Sequence, residues 1–284
     1  MFLKKTISLF IAITFLTSSV YPNYARAELN LPAPNQFVPL SNTYSFPVLK
    51  GMKFDPVDPL KMEFIIDTAD QKNVSEEEAS RLIRYFLAGL TIPEEDTWVN
   101  MSPYEADKII PQSLSETDLG KDLLSQDYIL KQLSSSLTYP ESNTGKDFWD
   151  KTYQEVLKVA KTTKLPVNTF NKIWIMPDKA VVYEHENFAM ISEATLKTML
   201  EEDYLALKNN VSSIQKQKNM KEGLINQVNA ASSKVMRESI LPKINADVNS
   251  GKNFATLRQI YYSLILGVWF KKKFKDSLYK AYIN

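Results

Sequence analysis

The chain has 284 residues, 44% of them hydrophobic and 24% charged, with 14 Phe, 14 Tyr and 4 Trp against only 7 Gly and no Cys. That is the composition of a globular, helix-favouring protein with a full core, and the lack of Cys excludes disulfides, thiolate catalysis and zinc–thiolate sites. A formal net charge of +1 lacks the concentrated positive surface that phosphate contacts need and argues against nucleic acid as a partner.

Met1 to Ala27 reads as a secretory signal peptide. Lys4 and Lys5 open it, an apolar run follows from Ile7 to Leu16, and Ala25-Arg26-Ala27 supplies the small residues of a cleavage site. The apolar run is about half the roughly 20 residues a membrane span needs. Cleavage after Ala27 would place the mature protein in the periplasm or outside the cell. It would also remove three positive charges from the formal +1, leaving −2.

Residues 28–59 hold Pro32, Pro34, Pro39, Pro47, Pro56 and Pro59, a density that blocks regular helix and predicts an extended arm or linker. A helix-rich α+β domain is expected over 60–207. Met62 to Asp67 has the β-branched and aromatic content of a short strand. Ser75 followed by Glu76, Glu77 and Glu78 is a capped helix start, with Leu82, Phe86 and Leu90 as one face, flanked by Ile83 and Leu87, before Pro93. The three carboxylates do not make a metal site, because consecutive helix positions point about 100° apart. Leucines 119, 123, 130, 133 and 137 mark a second helix over about 116–137. A third, over about 146–162, carries Trp149, Tyr153, Val156, Leu157 and Ala160. Three short strands over 170–176, 180–183 and 188–191, the first two joined by Pro177-Asp178-Lys179, predict a small antiparallel meander. A helix then begins near Ser192-Glu193 with Leu196, Met199, Leu200, Tyr204 and Leu207 inward. The expected fold is therefore α+β and predominantly helical. Residues 208–284 form a C-terminal helical region packing on or extending from that domain, in which 208–235 is polar, an exposed helix or a connector, and Phe254 to Tyr282 is strongly amphipathic.

Few residues carry chemistry. The single His185, in Glu184-His185-Glu186, has no nucleophile marked for it; along a strand the two glutamates share a face that His185 does not. Asp67, Asp70, Glu94, Glu95 and Asp96 are acids that a glycan hydrolase could use as a pair, but such a pair is defined in space rather than along the chain. Trp98 and Tyr104 flank Ser102-Pro103 and, like Phe170 and Trp174 later, could form a ligand-stacking shelf, but aromatics in such a setting more often pin the chain onto the core, which is the expected role. Trp269-Phe270-Lys271-Lys272-Lys273 resembles an interfacial anchor that could touch a membrane surface, while lysines there also answer the helix dipole. No Gly-rich phosphate loop, paired-His helix or calcium loop is present, so no cofactor or metal is expected.

Several stretches carry a resemblance: Phe86-Leu87-Ala88-Gly89-Leu90-Thr91-Ile92-Pro93, Trp98-Val99-Asn100-Met101-Ser102-Pro103-Tyr104-Glu105, Asp122-Leu123-Leu124-Ser125-Gln126-Asp127-Tyr128, Pro166-Val167-Asn168-Thr169-Phe170, Met199-Leu200-Glu201-Glu202-Asp203-Tyr204 and Phe254-Ala255-Thr256-Leu257-Arg258. Together they resemble a family of uncharacterised exported bacterial proteins, whose members continue beyond the position of Asn284. The resemblance implies a bacterial envelope setting and assigns no functional residue. The expected function is an envelope or secreted interaction or structural protein without catalysis of its own, partnered by another envelope or secreted protein through Trp98, Tyr104 and the 269–273 segment. The alternatives are a glycan-directed hydrolase built on a carboxylate pair and a peripheral membrane protein.

Overall fold

A computed structural model describes residues 31–33, 36–58, 60–91, 112–160, 172–208 and 224–283. The fold is α+β and mostly helical, with one four-stranded antiparallel sheet among the described residues. From Leu31 onward the chain forms one compact unit.

Strand β1 (Val48–Phe54) arises inside the stretch expected to be an arm. Its Leu49, Met52 and Phe54 are buried, and Gly51 and two lysines interrupt the apolar pattern that would have announced it. Strand β2 (Met62–Asp67) pairs with it where expected, turning Met62, Phe64 and Ile66 to the core. The meander is instead one long hairpin of β3 (Ile173–His185) and β4 (Phe188–Leu200), and the strand order is β2-β1-β4-β3. Pro177 to Lys179 is a bulge within β3 rather than a turn, and a second register shift falls between Val181 and Val182. The residues expected to open a helix at 192 continue β4. Only Glu201–Lys208 turns helical, as α5 in chain order.

The other helices are α1 (Glu76–Thr91), the single turn α2 (Gln112–Ser115), α3 (Asp118–Leu137), α4 (Asn143–Ala160), α6 (Leu224–Val235), α7 (Leu241–Ser250) and α8 (Ala255–Ile283), with a π-helical turn at Met236–Ile240 joining α6 to α7. The Ser75 hydroxyl accepts the Glu78 N–H at 3.1 Å and Thr117 accepts that of Gly120 at 3.1 Å, so both predicted helix starts are side-chain capped. On α3 all five predicted leucines are buried. On helix α4, Phe148, Thr152 and Val156 are buried, whereas Tyr153 and Leu157 face solvent. Its partner is α6, whose Val228 and Ala231 close on Val156 in a small second cluster.

Helix α8 organises the main core. It crosses α1 where Gly267 meets Gly89, and its Leu257, Ile260, Leu264 and Phe270 pack into the main cluster with β1 and α3 residues. Buried Gln126 of α3 accepts the Leu257 N–H at 3.3 Å and so caps α8 from across the fold. Strand β1 covers β4 only from Phe188 to Met190. Beyond that, α7 supplies the missing partner. Asn249 accepts the Leu196 N–H and donates to the Leu196 carbonyl, both at 2.8 Å, and Asn245 accepts the Thr198 N–H at 3.0 Å.

Candidate functional site

Strand alternation sends every second side chain of the sheet away from the helices. In cross-strand register, Ile65, Gly51, Met190 and Tyr183 form one row over all four strands. Ile65, Met190 and Tyr183 are 41%, 38% and 58% exposed, and Val181 beside them is 40% exposed. Gly51 is the floor of the row. A Cβ there would stand 2.7 Å from the Ala189 carbonyl oxygen, so the backbones approach too closely for a side chain. The adjoining row, Glu63, Lys53, Phe188 and His185, adds opposite charges at one border. The arrangement is an apolar strip with a polar rim, the general plan of a protein-binding surface.

The hairpin tip lies at one end of this face. Glu186 adopts φ 51°, the left-handed conformation of a tight turn, and Asn187 returns to β1 by donating its side-chain amide to the Phe54 carbonyl while its own carbonyl accepts the Phe54 N–H at 3.1 Å. Glu184 points the opposite way from the exposed His185. One of its oxygens accepts the Trp269 indole N–H at 2.6 Å and lies 3.2 Å from the Lys273 ammonium. These two donors hold its carboxyl below the ordinary glutamate value.

A separate polar cluster joins α1 to α3. The buried Tyr85 hydroxyl donates to Asp122, Arg84 Nε donates to Asp118 at 2.8 Å, and Arg81 lies 3.9 Å from Glu78 with its Nε buried and unpaired. Burial raises the Asp122 carboxyl above the ordinary aspartate value, against the opposing pull of Tyr85 and Arg81. Burial together with the Asp122 charge raises the Tyr85 phenol. Further along α3, burial likewise raises the carboxyl of Asp127, which pairs with Lys131 at 2.7 Å.

Trp98, Tyr104, Glu94, Glu95, Asp96 and Phe170 lie outside the described residues. Trp269 and Phe270, expected on a surface, are only 8% and 5% exposed and pack edge-on or tilted against Phe54 in the core. Their burial is a correction to the anchor reading, because α8 is shielded on both flanks where that reading needs an open aromatic face. Lys271 and Lys273 are half-buried beside them and Lys272 is exposed. Trp174 of β3 is stacked on Tyr204 of α5 at 3.8 Å, a contact between strand and helix rather than an open shelf. Asp67 accepts the Ala69 N–H at 3.0 Å in the turn that leads to Asp70. Neither the Tyr85–Asp122 cluster nor the exposed strip was marked in advance. The available signals were Asp118 and Asp122 one helical turn apart, and the Tyr183/Met190 pairing that a longer hairpin would have implied. Among the described residues no group of three or more His, Asp or Glu could hold a metal ion. No family model, curated protein or solved structure matches the chain.

Proposed function

We propose that the protein is exported, loses Met1–Ala27, and acts in the bacterial envelope or outside the cell as an interaction protein without catalysis of its own. The observation that carries this reading is the exposed strip of Ile65, Met190, Tyr183 and Val181 laid in register over a rigid sheet. Apolar side chains on a backbone that cannot collapse lose little conformational freedom when covered, which favours binding. The partner is another envelope or secreted protein. Among the described residues no helix is long and apolar enough to cross a membrane. The test is a photo-crosslinking residue at position 183 in exported protein, compared with one at the exposed position 151. A discrete adduct at 183, absent at 151 and lost on Met190→Ser, supports the reading; adducts of equal yield at both positions, or none at 183, refute it.

A second reading, a glycan-directed hydrolase using a carboxylate pair, draws on Asp118 and Asp122. The two stand one helical turn apart on α3, and burial raises the Asp122 carboxyl, the direction that the acid of such a pair requires. Arg84 occupies Asp118 and Tyr85 occupies Asp122, which weakens this reading relative to the first. Release of reducing ends from purified peptidoglycan, abolished by Asp122→Asn, would favour it. Wild-type protein without release would end it.

A further inference from the structure

Residues 36–46 cross the junction between α7 and α8 as an extended strap. The floor of that junction is built independently of the strap. Arg258 donates to the carbonyls of Asp247 (3.3 Å), Val248 (2.7 Å) and Gly251 (2.6 Å), answering the negative end of α7, and the Gly251 N–H returns to the Asp247 carbonyl at 2.7 Å. The Asn253 side-chain amide donates to the second oxygen of the Asp247 carboxylate at 2.7 Å. The strap occupies what remains. The Ser41 hydroxyl donates to Asp247 and accepts the Asn253 N–H at 3.1 Å, the Asn253 amide also reaches the Pro39 carbonyl at 2.9 Å, the Tyr44 N–H donates to the Ser250 carbonyl at 2.9 Å, and Phe46 lies over the Arg258 guanidinium at 4.5 Å. Gly251, bridged to Thr43, is bare because a Cβ there would overlap both Asp247 and Ser41.

We propose that the α7–α8 junction is a receptor for an extended peptide, that residues 38–46 are its resident ligand, and that this strap exchanges with an external segment carrying a hydroxyl residue and an aromatic residue five positions later. The contacts sort as they do in extended-peptide recognition: main-chain groups of Pro39 and Tyr44 are held whatever their side chains, and Ser41 and Phe46 are read by Asp247, Asn253 and Arg258. Of the strap side chains over 36–45 only Val38 is buried, while Phe37, Leu40 and Tyr44 already face water. Besides the junction contacts, the Val38 N–H donates to Ser136 Oγ at 2.9 Å and Phe37 lies edge-on to Tyr139 at 4.8 Å; once released, the strap stays tethered at a high effective concentration over the receptor. This inference is independent of the sheet face.

The test uses full-length mature protein and a fluorescent peptide of residues 36–47, read by polarisation. Wild type should bind it weakly, Ser41→Ala/Phe46→Ala protein at least tenfold more tightly, and a peptide carrying the same two substitutions should bind neither. Equal binding to both proteins, no binding to either, or equal binding of the substituted peptide overturns the proposal. If the variant fails to fold, hydrogen exchange on wild type decides: Val38 and Tyr44 amides exchanging together and at least tenfold faster than the Met52 and Ile191 amides is the expected result, and exchange at one common rate overturns it.

Discussion

Asp122 sits where burial and hydrogen bonding oppose each other. Its folded carboxyl is raised, so it binds a proton more readily in the folded than in the unfolded chain, and stability from this group falls as pH rises from the unfolded value through the folded one. Asp122→Asn keeps an acceptor for Tyr85 without a charge to desolvate. It is therefore expected to raise Tm at pH 7, with the gain shrinking towards pH 4, measured by thermal melts across that range; a lower Tm at pH 7 would contradict the burial argument. Glu184 behaves oppositely. Its folded value is depressed by Trp269 and Lys273, so its contribution is present above the unfolded value and is lost as pH falls through the folded one, below the ordinary 4.5. The Trp269 indole N–H resonance should shift in that acid window, and Glu184→Gln should remove the titration.

Where β1 runs out, α7 completes the sheet through two asparagines spaced i, i+4, and this spacing matches alternate residues of a strand because four helical residues and two strand residues advance by similar lengths. Asn249→Ala leaves the Leu196 N–H and carbonyl without partners and is expected to cost about 2–4 kcal/mol, two groups at roughly 1–3 each with partial rescue by water, read by urea unfolding. Asn249→Ser should recover part of the loss. The same region shows what the sequence alone could not carry. Leu196, Met199, Leu200, Tyr204 and Leu207 fall at helical spacing, yet the first three belong to β4, because the consecutive residues Thr198, Met199 and Leu200 are all buried, so the strand is covered on both faces there and shows no polar–apolar alternation. β1 was missed for the related reason that Gly51 and Lys50 break its apolar run, Gly51 being needed for close backbone approach and Lys50 lying over Tyr262 at 5.3 Å. By contrast β2, α1 and α3 were legible because caps and periodicity are local. The candidate sites were least legible: a row such as Ile65–Gly51–Met190–Tyr183 exists only after pairing, and Trp269 reads as a surface aromatic until Glu184 is brought to it from 85 residues away.

For the molecule as a whole, one crossing sets how α8 lies against α1. A Cβ on Gly267 would stand 3.1 Å from the Phe86 carbonyl oxygen, a backbone atom held in α1, whereas one on Gly89 meets the movable end of Leu264 at 3.0 Å. Gly267→Val is expected to destabilise by about 2–3 kcal/mol, the usual range for overpacking, and Gly89→Ala by distinctly less, both read by urea unfolding with unchanged m-value. Equal losses would mean that the two helices separate rather than deform.

The two register shifts along β3 have a further consequence. It is the outermost strand of the sheet on its side, thirteen residues long and rich in β-branched and aromatic side chains, the profile of a seed for fibrils. Pro177 lacks the donor that a docking strand would require, and two irregularities split the border into short incompatible registers. Straightening that border, for instance by Pro177→Thr, would be expected to turn it into a template on which further copies stack.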